Sequence, residues 1–186
     1  FKVDGQPVRL NIGGMFNVLN ALGAWAVATV YDVEASLIVE ALSKIQSIPG
    51  RLEFIQKEPF GVVVDYAHTP DSLETVYKTL KPMNGRLIAV LGSCGGGRDK
   101  WKRPEFGVIA DRWADEIILT DEDPYEEDPN QIISEIKSGI SNSQFSISKV
   151  QIILDRREAI KKAIEMAQPG DTVVITGKGS EISMAV

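Results

Sequence analysis

An α/β fold, with a mostly parallel sheet and helices on both faces, is the class that this sequence predicts. Three observations carry that prediction. Short apolar, β-branched runs alternate with helix-length segments from about residue 50 onward. Chain breakers separate them at Asn84-Gly85, Gly139 and Pro169-Gly170-Asp171. Polar, often glycine-rich stretches follow four of the runs. Alternation of this kind builds a parallel sheet with crossover helices, and open Rossmann-like sheets bind ligands at the carboxyl ends of their strands.

The elements follow in order. Residues Phe1 to Leu10 alternate weakly (Val3, Val8, Leu10) around the turn signal Asp4-Gly5, which fits a hairpin arm. After Gly13-Gly14, Asn17–Tyr31 reads as an alanine-rich helix with Leu19, Leu22, Ala26 and Val30 at helical spacing. Glu34–Gln46 reads as a second helix with Leu37, Ile38, Ala41, Leu42 and Ile45 on one face. Two apolar helices with so little sheet do not make a domain. With a first residue other than Met, they lead us to expect a piece of a longer protein. Ser47-Ile-Pro-Gly50 reads as a linker, dividing the chain into 1–48 and 49–186. Beyond it, the strand candidates are Gly61–Asp65, Arg86–Leu91, Glu116–Thr120, Val150–Leu154 and Thr172–Thr176. The helix candidates are Asp71–Leu80, Pro104–Trp113, Pro129–Gly139 and Arg156–Ala167. The direction of the last strand stays open.

Composition narrows the function classes. At 186 residues, 44% hydrophobic and 25% charged, the chain has the make-up of a soluble globular protein. A net charge of -6 argues against nucleic acid and anionic membranes as partners. No apolar run approaches the length of a membrane span. One cysteine, Cys94, excludes an intrachain disulfide and disfavours a zinc site; one histidine, His68, excludes a histidine-rich metal centre.

Four rim stretches could carry chemistry. Val62-Val-Val-Asp-Tyr-Ala-His-Thr-Pro-Asp71 places Asp65 at a strand's carboxyl end, either as a ligand contact or as a structural cap. Gly92-Ser-Cys-Gly-Gly-Gly-Arg-Asp-Lys-Trp-Lys-Arg-Pro104 combines three consecutive glycines with Arg98, Lys100, Lys102 and Arg103. It reads either as a phosphate or carboxylate site or as a solvated loop, and its spacing fits neither a Walker loop nor a dinucleotide fingerprint. Asp121-Glu-Asp-Pro-Tyr-Glu-Glu-Asp128 has six acids in eight residues. They suit an amino group or a metal, although Asp128 before Pro129 is equally a helix N-cap. Gly177-Lys-Gly-Ser-Glu181 is a ligand loop or a plain turn. Asn17 and Asn20 share a helix face and, read alone, only start that helix.

Taken together, the segments resemble the Mur ligases, most closely those that add the third residue of the peptidoglycan peptide. The matching motifs are Gly14-Met-Phe-Asn-Val-Leu-Asn-Ala21, Pro49-Gly-Arg-Leu-Glu53, Asp65-Tyr-Ala-His-Thr-Pro-Asp71, the glycine–basic loop ending Lys102-Arg-Pro104, Asp123-Pro124 with Glu127-Asp128-Pro129, Asp155-Arg156 with Glu158-Ala159-Ile160, and Gly177-Lys-Gly179. They run in family order along essentially the whole chain. The resemblance implies a cytoplasmic, three-domain ligase. Residues 1–48 would end its central ATP-binding domain and 49–186 would form its carboxy-terminal domain. ATP, with Mg2+ held mainly by the central domain, would activate the carboxylate of UDP-N-acetylmuramoyl-L-Ala-D-Glu as an acyl phosphate. A free diamino acid, L-lysine or meso-diaminopimelate, would then attack it. The same resemblance implies ATP contacts at Asn17, Asn20, Arg51, Asp65, Tyr66 and His68. It implies amino-acid contacts at Arg98, Glu122, Asp123, Pro124, Tyr125, Gly177 and Glu181. The catalytic lysine and phosphate loop of the family lie outside these residues, so the chain alone is expected to be inactive.

Two positions depart from the pattern. Where diaminopimelate-adding enzymes carry Asp-Asn-Pro-Arg, this chain has Glu122-Asp-Pro-Tyr125, and tyrosine lacks the bidentate fork of arginine. Acids around Tyr125 suit an ammonium better than a second carboxylate, which favours lysine or another diamine and leaves diaminopimelate open. Ser180 stands where the family carries histidine. The rival readings are a folylpolyglutamate synthase-like ligase and a non-catalytic α/β ligand-binding module.

Overall fold

The structure, a computed structural model, describes residues 1–140 and 148–185. It divides into two units, Phe1–Ile48 and Pro49–Val186, at the place where the sequence reads as a linker.

In the first unit, β1 (Lys2–Val3) and β2 (Gln6–Pro7) pair antiparallel as the expected hairpin. Helices α1 (Met15–Val30) and α2 (Ala35–Lys44) follow. The buried stripe of α1 differs from the one the spacing suggests. Asn17, Ala21 and Trp25 face inward with Val8, Ile38 and Leu42, while Leu19 and Val30 are exposed. α1 is apolar nearly all round, so periodicity alone offers several stripes. Trp25 settles the choice: its indole N–H donates to Asp4 in the hairpin turn, 3.1 Å away.

The second unit contains a six-stranded sheet: β3 (Glu53–Gln56), β4 (Gly61–Val64), β5 (Leu87–Leu91), β6 (Glu116–Leu119), β7 (Val150–Ile152) and β8 (Thr172–Ile175). Their order is β3-β4-β8-β5-β6-β7. Five strands are parallel, the last included. The antiparallel member is β3, an edge strand that the sequence reading missed. Glu53-Phe-Ile-Gln56 has only two apolar residues, both exposed, so it carries no core signal.

Among the described residues, four helices complete this unit: α3 (Pro70–Leu80), α4 (Lys102–Trp113), α5 (Pro129–Lys137) and α6 (Arg156–Met166). The connections through α3, α4 and α5 step outward from β4 to β5, β6 and β7, whereas α6 steps back to β8. Right-handed crossovers therefore place α6 on the opposite face from the other three. Accordingly, Ala159 and Ala163 of α6 bury against Val62, Ile88, Val90, Ile118, Val173 and Ile175. On the other face, α3, α4 and α5 pack side by side. The α4–α5 approach is close enough that a Cβ on Gly107 would lie 2.0 Å from the Ile136 carbonyl oxygen.

Starts and stops follow local chemistry. Thr69 and Ser72 form a capping box around Pro70 at the start of α3. Asp128 and Asp155 accept backbone N–H bonds at the starts of α5 and α6. α4 begins two residues before Pro104, since proline is tolerated in a first turn.

Candidate functional site

The topology sets four loops along one rim, after β4, β8, β5 and β6 in that spatial order. β8 lies where the connections reverse direction, the switch point at which such sheets open a crevice.

After β4, Asp65 is only 6% exposed. Its two carboxylate oxygens accept the backbone N–H groups of Leu52 (2.6 Å) and Ala67 (2.7 Å). Burial pushes its pKa up, against those bonds and Arg51. Its visible work is to pin the Gly50–Leu52 turn beside the strand end. Arg51 thereby sits 4.3 Å over the Tyr66 ring, and His68 meets that ring edge-on at 4.7 Å. The Tyr66 hydroxyl donates to Glu181 at 3.0 Å.

After β8, Gly177 has φ 103°, a conformation that strains any side-chain-bearing residue, and a Cβ there would lie 1.8 Å from Glu122 Oε2. Lys178 bridges two carboxylates, donating to Asp123 and, at 3.0 Å, to Glu181. Burial works against its charge, but the two acids outweigh it and hold its pKa above the usual lysine range. The Lys178 ammonium in turn holds Glu181 below the usual carboxylate range.

After β5, the glycine–basic loop uses its cations unequally. Arg103 is fully buried and donates to Glu127 (3.1 Å), Glu135 (2.7 Å) and the Cys94 carbonyl (3.2 Å). Lys100 pairs with Glu127 at 2.8 Å, and Lys102 donates to the His68 carbonyl at 3.1 Å. Three of the four cations read from sequence as an anion site are thus tied to the protein's own acceptors. Arg98 is exposed, and among the described residues it forms no ion pair.

After β6, the acids divide as sharply. Glu127 is bound by Arg103 first, then by Lys100 and the Gly97 N–H, which drive its pKa down to about 2. Asp128 is the N-cap of α5. Asp123 and Tyr125, on either side of Pro124, adopt φ 43° and 52°, so this turn holds a tyrosine in the left-handed region. Asp123 receives Lys178 and the Ala185 N–H, and the Tyr125 N–H donates to the Ala185 carbonyl. Glu122 is 5% exposed, and its Oε2 has no hydrogen-bond partner among the described residues. Burial pushes its pKa up to about 7, although Arg156 lies 3.9 Å away. No cluster of metal-binding side chains occurs among the described residues.

Arg51, Tyr66, Glu122, Asp123, Gly177 and Glu181 are thus brought into one connected rim. Asn17 and Asn20 lie in the first unit, where buried Asn17 donates to the Gly13 carbonyl (2.7 Å) and accepts from Asn20 (3.2 Å). Two members of the rim were missed by sequence reasoning. Lys178 was visible only as a residue between glycines. Arg156, which joins the β6 and β8 loops by donating to the Asp121 and Thr176 carbonyls, was noted only within a motif.

Comparison with known proteins identifies the family. Residues 50–179 match the family model described as Mur ligase, glutamate ligase domain. The chain belongs to the Mur ligase family. Among curated Mur ligases, it is 46% identical over 182 residues to a UDP-N-acetylmuramoyl-L-alanyl-D-glutamate--2,6-diaminopimelate ligase of Aquifex aeolicus, covering 97% of this chain and 36% of that protein. It is 42% identical to the ligase of the same name from Syntrophomonas wolfei, covering 96% of this chain and 39% of that protein. A solved structure with that name superposes with a TM-score of 0.69 at 42% identity, over 96% of this chain and 36% of the other. The chain therefore spans well under half the length of the Mur ligases it matches. A Mycobacterium tuberculosis folylpolyglutamate synthase superposes with a TM-score of 0.71 at 21% identity, covering 91% of this chain and 39% of that one, a likeness of fold alone.

Proposed function

We propose that this chain is the carboxy-terminal part of a cytoplasmic, ATP-dependent ligase of peptidoglycan synthesis. In this reading, residues 1–48 end the central domain. The whole protein joins a free diamino acid to UDP-N-acetylmuramoyl-L-Ala-D-Glu. The observation that carries the reading is the rim itself: a cation without an ion-pair partner among the described residues, Arg98, stands on the same rim as two carboxylates, Asp123 and Glu181, that share the single ammonium of Lys178 and so keep an excess of negative charge. That is the complementarity a diamino acid requires, a carboxylate at one end and an ammonium at the other.

ATP, with Mg2+ to neutralise its phosphate oxygens, would supply the phosphoryl group that activates the glutamyl carboxylate. The residues of this unit fit a nucleotide's edge: Arg51 presents a guanidinium over an aromatic face, and His68 flanks it. Asp65 serves there by holding the Arg51 turn through Leu52. In the whole protein, Asn17 and Asn20 of the first unit would be adenine contacts. Arg98 grips the incoming carboxylate, while Glu122, Asp123, Pro124, Tyr125, Gly177 and Glu181 receive the rest of the amino acid.

The test is ADP release by the full-length protein supplied with ATP, the UDP-muramoyl dipeptide and, in turn, lysine, ornithine and meso-diaminopimelate. Release with one or more of these, and none from the 186-residue chain alone, is the expected result. Release with diaminopimelate alone removes the ammonium argument for Tyr125 but keeps the ligase. No release with any of them contradicts the proposal, as does turnover by the isolated chain.

A further inference from the structure

The rim contains a physical link between its two halves that neither half needs on its own account. On one side stand Arg51, Tyr66 and His68; on the other stand Asp123, Lys178 and Glu181. The link is the Tyr66 hydroxyl, which donates to Glu181 Oε1 at 3.0 Å while Glu181 Oε2 accepts from Lys178 at 3.0 Å. Lys178 then continues to Asp123. One carboxylate is therefore held at both oxygens, by a phenol from the β4 loop and by an ammonium from its own loop.

The backbones reinforce that link. A Cβ on Gly50 would lie 2.2 Å from the Ser180 nitrogen, and one on Gly179 would lie 2.8 Å from Tyr66 Cβ and 2.9 Å from an Arg51 guanidinium nitrogen. The Gly177–Glu181 loop is therefore laid directly on the Gly50–Arg51 turn and the Tyr66 ring. A shift of the Gly50–Arg51 backbone or of Tyr66 towards that loop would therefore press on the segment that carries Glu181 and Lys178.

We infer that Tyr66 is a positioning residue for the amino-acid side of the rim. Its hydroxyl orients Glu181, so that occupancy of the Arg51–Tyr66 side sets Glu181 for the incoming amino acid. The inference rests on the proposed ligase function for what each side binds. The phenol–carboxylate contact itself does not depend on that function. It agrees with the upward displacement of the Tyr66 pKa, caused first by the bond to Glu181 and then by that carboxylate's charge.

Two measurements on the full-length protein test it. In the first, Tyr66→Phe keeps the ring beneath Arg51 and removes only the hydroxyl. KM for the diamino acid should rise about fivefold, as expected for loss of one ordinary, solvent-exposed hydrogen bond, with KM for ATP changing less than about twofold. Tyr66→Phe should add nothing in a Glu181→Ala background. Equal changes in both KM values, no change in either, or additive effects with Glu181→Ala would each overturn the positioning role.

The second measurement is an ultraviolet difference titration between protein with and without Tyr66, which isolates that phenol. Glu181→Gln should lower its midpoint, because the acceptor loses its charge. An unmoved midpoint overturns the contact whatever the ligase assay gives. A lowered midpoint in a protein that releases no ADP would keep the contact and place the failure in the ligase assignment.

Discussion

A carboxyl group enclosed between Gly92 and Gly177, with one oxygen unpaired among the described residues, titrates near pH 7 at Glu122 because burial penalises its charge more than Arg156 and Lys178 favour it. The sign of the consequence follows by linkage. Between about pH 4.5 and pH 7 the folded chain holds a proton here that the unfolded chain has released, so stability falls as pH rises through that window. Glu122→Gln, which keeps the shape without the charge, should remove this slope and stabilise the fold at pH 8 by on the order of 2 kcal/mol. Thermal unfolding of both forms at pH 5 and pH 8 is the check, and an equal pH dependence in both would contradict it. This role was not legible in the sequence, where Glu122 is one acid among six. Asp128 was legible as a cap because its partner is local, whereas Glu122's surroundings come from residues 92, 156 and 177, far away in the chain. Tyr66 and Glu181, 115 positions apart, illustrate the same limit.

At the scale of elements, the glycine–basic loop and α4 depend on one buried cation. Arg103 holds Glu127 and Glu135, and Glu127 in turn holds Lys100 and the Gly97 N–H, so the loop bearing Arg98 is fixed to the start of α5. The Glu127 pKa is depressed to about 2, so its contribution is fully present above about pH 4.5 and is lost as pH falls towards 2. Arg103→Met should destabilise the fold by about 2 kcal/mol, since it removes the charge-assisted hydrogen bonds that Glu127 and Glu135 share and leaves Glu127 with Lys100 and the Gly97 N–H alone. Chemical denaturation at neutral pH measures this, and a loss within experimental error would mean that the loop is held by other contacts. Most elements were legible because each carries a local signal: β-branched runs for the central strands, caps and prolines for α3, α5 and α6. β3 was not, since an edge strand with exposed Phe54 and Ile55 leaves no core pattern. The stripe of α1 was misread because an all-round apolar helix has no preferred face in sequence.

At the scale of the molecule, the sheet order turns separate sequence motifs into one rim. Placing β8 between β4 and β5 brings Gly177–Glu181 beside Asp65–His68 on one side and Gly92–Arg98 on the other. Sequence order alone would have left the last loop at the far end. The proposed function divides labour along that rim, with nucleotide contacts expected on the Arg51 side and amino-acid contacts expected on the Arg98 side. The most direct test is steady-state kinetics of Arg98→Ala and Arg51→Ala in the full-length protein, varying ATP and the diamino acid separately. Arg98→Ala should raise KM for the diamino acid at least tenfold while KM for ATP changes little, a charge-assisted contact being lost. Arg51→Ala should show the reverse. Equal effects of each substitution on both substrates would contradict the division.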